Sequence, residues 1–333
     1  MKAAVFKGLR QPLVIEDVTE VRPGRGQVRL RVHRCGICGS DLHMTEDPIF
    51  CIPSGTVLGH EFAGEVVECG PGIERLRVGD RVSVLPIASC GKCAACLSGH
   101  PVWCAEMQLH GGGYGEYAMV NEIQCVRLPS SLSEDDGALV EPLAVGLHGV
   151  IQAEMKPGAS VLIIGAGPIG LATAFWARRL GAGTIASTAS STRRADLTMA
   201  MGTDMFIAPE DNAPADVARL MGGAPDFVFE CVGKPGLIDQ SVGIVRPRGT
   251  VMVLGLCTAT DQFHPFNAVN KEVRILTAAF YGIKDFEMSA KALDADHVAA
   301  RDMITDHVSL DELPGAFEAL KTRTNQCKVM VKP

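Results

Sequence analysis

At 333 residues the chain exceeds what one hydrophobic core usually organises, so two domains are expected. A hydrophobic fraction of 47% beside 21% charged residues excludes an intrinsically disordered chain. The net charge of −7 arises from 31 basic and 38 acidic residues with no basic block, which argues against nucleic acid or an anionic membrane as partner.

No apolar run approaches the roughly 18 residues of a membrane span. The N-terminal MKAAVFKGLRQPLVIED carries charges too often for a signal peptide. A cytoplasmic location is therefore expected, and there the 12 cysteines point to metal or reactivity rather than to disulfides.

Residues 1–130 alternate short strands and turns. Val28–His33, Gly64–Cys69 and Arg81–Leu85 are predicted strands, with turns at Pro23-Gly24, Gly70-Pro71-Gly72 and Gly79-Asp80. A β-rich, barrel-like region is expected. Within it Cys35-Gly36-Ile37-Cys38-Gly39-Ser40-Asp41-Leu42-His43 precedes Gly59-His60-Glu61-Phe62-Ala63-Gly64, and Val140-Glu141-Pro142-Leu143 comes later. One thiolate, one imidazole and carboxylates are the mixture that leaves zinc an open position for water or substrate. Between these segments Cys90, Cys93, Cys96 and Cys104 form a C-x2-C-x2-C-x7-C array. Four thiolates enclose one zinc in a closed tetrahedral site, which stabilises a lobe and performs no chemistry. An iron–sulfur cluster uses similar spacings.

From about Leu139 the pattern changes. A helix is predicted over Ala144–Ala153; the apolar strand Ser160–Ile164 then leads into Gly165-Ala166-Gly167-Pro168-Ile169-Gly170 and a helix over Leu171–Leu180. A G-x-G-x-x-G between strand and helix is the context of a dinucleotide site. Gly165 permits the turn, Gly167 lets the backbone approach a pyrophosphate, and Gly170 lets helix and strand pack, with the helix N-terminus facing the phosphates. Further strands at Thr184–Thr188, Asp226–Val232 and Thr250–Gly255, alternating with helices, imply a doubly wound parallel sheet.

After the second of these strands an acid should bind the ribose hydroxyls, but the chain reads Ser187-Thr188-Ala189-Ser190-Ser191-Thr192-Arg193-Arg194. Without a carboxylate nothing repels a 2′-phosphate, and hydroxyls with two arginines suit one. NADP is thus expected over NAD. The last 50 residues, with helices near Phe286–Leu293 and Leu310–Lys321 and strands near His307 and over Lys328–Val331, lack this rhythm. They are assigned to the first domain, giving 1–145 with 276–333 (lobe 88–106) and an inserted domain 146–275.

The GHExxG motif at Gly59–Gly64 followed by Gly70 and Gly72, the CGICGSDLH segment, the four-cysteine lobe and the glycine fingerprint resemble the zinc-containing medium-chain dehydrogenases, and most closely their polyol and sorbitol dehydrogenase branch. The resemblance covers nearly the whole chain. It implies an α/β fold in which a GroES-like β-rich catalytic domain carries an inserted Rossmann domain. It also implies hydride transfer between a secondary alcohol or polyol, or the matching ketone or aldehyde, and NADP(H) or NAD(H).

On that resemblance Cys38, His60 and Glu141 hold the catalytic zinc, with Glu61 beside it as an alternating or outer carboxylate, and the four-cysteine lobe holds a structural zinc. A cysteine stands at the Glu141 position in the alcohol dehydrogenase branch, which favours the polyol type here; alternatively Glu141 is a helix N-terminal carboxylate before Pro142. The zinc acts as a Lewis acid on the substrate alkoxide, and Ser40 relays the proton toward His43. Asp would stand at Ala189 in NAD-binding members, and Cys231 and Val232 would contact the nicotinamide. The implied partner is a small alcohol or ketone, and the implied assembly a homodimer or homotetramer. Pocket residues would come from Met44–Ile52, Met107–Tyr114 and Ala279–Ile283, where Phe50, Ile52 and Leu109 lean toward a substrate with hydrophobic bulk. A zinc-free reductase of the same superfamily would need neither metal set, whereas a noncatalytic zinc- and nucleotide-binding protein would retain the fold.

Overall fold

The strand Gln27–Gly36 is the axis of the first of two units. Val28, Leu30 and Val32 alternate inward, as a half-buried strand requires. One edge pairs antiparallel with Glu61–Cys69 along its length; the other pairs first with Tyr117–Asn121, then with Lys328–Lys332. The whole sheet runs Ile304–Ser309, Lys328–Lys332, Gln27–Gly36, Glu61–Cys69, Arg81–Val84, Cys125–Arg127, with Tyr117–Asn121 branching from the third strand. Its core includes Leu30, Phe62, Val66, Val82 and Phe317.

The predicted strand Val28–His33 thus reaches three residues further, to Gly36. Cys35 and Gly36 are held between Phe62 and Glu61 on one side and Val331 and Met330 on the other. That register is set by strands distant in sequence, so local periodicity could not show it. A side chain at Gly36 would put its Cβ 2.2 Å from Glu61 Oε2. Only glycine lets the Glu61 side chain cross there.

The structure is a computed structural model that describes residues 1–295, 298–322 and 325–333. Residues Met1–Glu141 and Tyr281–Pro333 form the first unit, and Pro142–Phe280 the second. The second contains a six-stranded, wholly parallel sheet ordered Met205–Ile207, Thr184–Thr188, Ser160–Ile164, Phe227–Glu230, Thr250–Val253, Arg274–Thr277. The order reverses between Ser160–Ile164 and Phe227–Glu230, the switch point at which dinucleotides bind in such sheets. Buried Leu162, Ile164, Val228 and Val251 fill its core.

One predicted element is corrected. The helix expected over Ala144–Ala153 spans Glu134–Gln152, with Pro142 inside it. Ser133 and Asp136 start it reciprocally: Ser133 N–H donates to Asp136 Oδ2 at 2.7 Å, and Asp136 N–H to Ser133 Oγ at 3.2 Å. Three acids in the first turn also complement the helix dipole. Glu141 therefore sits in mid-helix, not at a helix N-terminus. Among the described residues no helix is long and apolar enough to cross a membrane.

A Cβ on Gly64 would lie 2.2 Å from the Arg31 carbonyl oxygen, whereas one on Gly315, in the helix Leu313–Leu320, would meet nothing within 4 Å. Gly64→Ala should lower the unfolding free energy by about 1–3 kcal/mol. Gly315→Ala should leave it unchanged or raise it by up to about 1 kcal/mol. Urea midpoints of the two variants check both.

Candidate metal centre and cofactor site

Cys38 leaves the Gln27–Gly36 strand and caps the helix Gly39–Glu46; His60 and Glu61 open the neighbouring strand. Strand pairing thereby brings three ligand types together from two separate segments. One ligand atom from each of Cys38, His60 and Glu61 lies within 4.8 Å of the others. Ser40, on the first turn of the helix, places its hydroxyl 3.1 Å from Cys38 Sγ and 3.2 Å from His60 Nε2. His43, one turn further, is exposed. A thiolate, an imidazole and a carboxylate suit zinc, so the donor set fits the metal.

Each acid in this region has its own donor. Asp41 Oδ1 meets His60 Nδ1 at 3.0 Å, which leaves Nε2 as the ring nitrogen turned toward Ser40. Both Glu61 oxygens accept from Lys328 Nζ, at 2.7 Å for Oε1, and Nζ also donates to the Ile37 carbonyl at 3.1 Å. Glu61 and Lys328 are fully buried. Burial alone would push the ammonium down, but Glu61 reverses this and holds it above its ordinary value. Glu141 lies outside the 4.8 Å group and accepts a 2.8 Å bond from the Tyr281 hydroxyl. Burial pushes its carboxyl up to about 7. The geometry therefore brings Glu61, rather than Glu141, closest to Cys38 and His60.

The four lobe cysteines also converge, with their Sγ atoms within 4.8 Å of one another. Cys93 N–H donates to Cys90 Sγ at 3.4 Å, and Cys90 N–H to Cys104 Sγ at 3.5 Å. N–H groups of Lys92 and Cys93 hold the Cys90 thiol down at about 6. None of the 12 cysteines forms a disulfide among the described residues.

In the second unit Gly165 has φ +119°, and a Cβ on Gly170 would lie 1.9 Å from the Gly165 carbonyl oxygen. A Cβ on Gly167, the N-cap of the helix Pro168–Arg179, would meet nothing within 4 Å. The turn is closed where helix and strand must pack and open where a pyrophosphate must approach. Pro168 and Ile169 form the first turn of that helix.

Ala189 follows the strand Thr184–Thr188, and the buried Ser187 and Thr188 hydroxyls have no partner among the described residues. Arg194 Nη1 reaches the Ala166 carbonyl at 3.3 Å, Arg193 donates to Ser191 Oγ at 3.2 Å, and Ser190 is exposed. Cys231 N–H bonds the Ile164 carbonyl at 2.9 Å, and Val232 N–H the Glu230 carboxylate at 2.7 Å. A Cβ on Gly165 would touch Val232. Open backbone, orphaned hydroxyls and adjacent arginines fit a dinucleotide.

Sequence reasoning missed Asp41, Tyr114, Tyr281 and Lys328. Lys328 left a signal: a lysine opening the apolar strand Lys328-Val329-Met330-Val331 must be exposed at an edge or paired inside. The two tyrosines left none, because their partners lie 73 and 140 residues away.

Residues 24–130 match the family model for the alcohol dehydrogenase GroES-like domain, and residues 168–301 that for zinc-binding dehydrogenases. The (R,R)-butanediol dehydrogenase of Bacillus subtilis (strain 168) is 33% identical over 350 residues, covering 100% of both chains. The sorbitol dehydrogenase of the same strain is 31% identical, covering 100% of this chain and 97% of its own. A candidate zinc-binding dehydrogenase from Sinorhizobium meliloti 1021, solved with NADP, superposes with a TM-score of 0.90 at 30% identity, covering 100% of this chain and 99% of its own. The chain belongs to the zinc-dependent medium-chain alcohol and polyol dehydrogenases, and is an oxidoreductase with a GroES-like domain and a Rossmann domain.

Lys328→Met leaves the buried Glu61 carboxylate without its cation and should cost about 3–5 kcal/mol of stability. Adding Glu61→Gln to Lys328→Met removes the stranded charge and should restore a large part of it. Denaturant titration of the single and double variants measures both.

Proposed function

We propose that this dehydrogenase interconverts the secondary hydroxyl of a small diol or polyol and the matching ketone, with NADP(H) as its preferred hydride carrier. The convergence of Cys38, His60 and Glu61 within 4.8 Å, with the Ser40 hydroxyl against two of them, is the observation that carries this reading. When bound, zinc supplies Lewis acidity at the substrate oxygen, and the nicotinamide supplies or accepts the hydride.

Cys38 and His60 hold the metal, completed by a carboxylate. Lys328 holds both Glu61 oxygens in place, as suits an outer carboxylate that would exchange onto the metal. Glu141, buried and bonded to the Tyr281 hydroxyl, would contact the metal through water. Ser40 Oγ takes the proton of the substrate hydroxyl while handing its own hydrogen on toward His43, which is exposed on the same helix and releases a proton to solvent. Cys90, Cys93, Cys96 and Cys104 hold a second, structural zinc.

Gly165, Gly167 and Gly170 with Pro168 and Ile169 receive the pyrophosphate. Ser187 and Ser190 bind the adenosine ribose, the missing acid at Ala189 admits a 2′-phosphate, and Arg193 and Arg194 bind it; Cys231 and Val232 meet the nicotinamide. The NADP-bound relative supports this preference. Phe50 and Ile52, half-buried against the core, and the more exposed Leu109 support a substrate with an apolar portion. Four thiols grouped for a metal at Cys90, Cys93, Cys96 and Cys104 support a cytoplasmic setting. Exposed Phe266 and Val269, near the edge strand Arg274–Thr277, support a homo-oligomer.

Metal analysis should give two zinc per chain; one would favour a noncatalytic binding protein, and none a zinc-free reductase. Steady-state rates on a panel of 2,3-diols, polyols and their ketones, with each cofactor at equal concentration, test the chemistry. NADP should be favoured, and Arg193→Ala/Arg194→Ala should raise the KM for NADP at least about tenfold while leaving that for NAD nearly unchanged. A tenfold preference of the unmodified enzyme for NAD defeats the cofactor assignment.

A further inference from the structure

Tyr114 is, with Tyr281, the largest fully buried side chain among the described residues, and its hydroxyl donates a 2.6 Å hydrogen bond to Asp41 Oδ2. Asp41 Oδ1 in turn meets His60 Nδ1 at 3.0 Å. We propose that Tyr114 is a positioning residue of the metal site: its hydroxyl locks the Asp41 carboxylate, and thereby fixes the tautomer and ring direction with which His60 presents Nε2 to zinc. The inference rests on the assignment of Cys38 and His60 as metal ligands.

Two features make the hydroxyl a rigid stop. The Tyr114 backbone is pinned on both sides: its N–H donates to the Leu58 carbonyl at 3.1 Å, and its carbonyl accepts from Ala4 N–H at 2.8 Å. The ring is clamped as well. It lies over Gly59, where a Cβ would approach Tyr114 Cδ1 to 2.5 Å, and meets Phe317 edge-on at 6.3 Å between centroids. Gly59, at φ +83°, directly precedes His60, so the ring and the metal-binding histidine share one wall.

The carboxylate needs this donor. Asp41 is fully buried, and the only other bond to Oδ2 among the described residues is a long one, 3.3 Å from Cys38 N–H. An ionised carboxylate only accepts, so with Tyr114 on one oxygen the other must take the Nδ1 proton of His60. Nε2 then carries the lone pair. Without the hydroxyl, a buried oxygen is left under-bonded, and the carboxylate is free to turn away from the imidazole.

The test is Tyr114→Phe, which keeps the ring on Gly59 and Phe317 and removes one oxygen. Zinc release to a chromogenic chelator is followed in two phases, with the four-cysteine site as internal control. Tyr114→Phe should release the first-site zinc about 10–100-fold faster and alter the visible d–d bands of the cobalt-substituted protein, with lobe release unchanged. Phe317→Leu, which disturbs the packing but spares the hydroxyl, should lower thermal stability and leave both metal readouts at their unmodified values. Unchanged release and spectrum in Tyr114→Phe, or equal acceleration in Phe317→Leu, overturns the proposal. If the unmodified protein has no metal dependent on Cys38 and His60, it is the ligand assignment that fails.

Discussion

The catalytic unit depends on how it accommodates buried negative charge. Burying one carboxylate without a partner costs several kcal/mol, and the region around Cys38 buries three: Asp41, Glu61 and Glu141. Each is matched to a different donor. Lys328 gives Glu61 a full countercharge, His60 and Tyr114 share Asp41, and Tyr281 gives Glu141 only a neutral hydrogen bond. The strength of these partners falls in that order. The least compensated acid is the one whose carboxyl is pushed up to about 7.

This graded compensation shapes the surrounding backbone. Gly36 is glycine because the Glu61 side chain passes where its Cβ would stand, and Gly59 because the Tyr114 ring does. Neither requirement comes from a turn alone. Packing in the sheet, the approach of the C-terminal strand and the polarity of the metal site are one problem solved by the same few residues. In the second unit the constraint is different: the Gly165–Gly170 turn must be tight on its inner side and bare on its outer side, and it carries no buried ion pair.

Family, two-part architecture and the grouping of candidate ligands could be read from the chain because they are written in short local motifs. Cys38 and His60 stand out by residue type, the lobe by cysteine spacing, and the nucleotide turn by glycines between a strand and a helix. The contacts that orient these groups could not be read in the same way. Asp41 was visible within the CGICGSDLH segment yet had no partner in sight, because Tyr114 is 73 residues distant. The mid-helix position of Glu141 was hidden because Pro142 reads as a helix start, and only the Ser133–Asp136 capping pair shows the true beginning. Long-range pairing, not composition, decides such details.

The separation of Lys328 from Glu61 by 267 residues also sets an order of assembly. The nucleotide unit is one continuous stretch, Pro142–Phe280, and can fold as it leaves the ribosome. The metal site has no such freedom. Cys38, His60 and Glu61 are made early, but the ammonium that neutralises Glu61 arrives only after the whole second unit has been synthesised. The last strand thus closes the charge balance of the first unit, because Glu61 can be buried with its cation only once the chain has been made through Lys328.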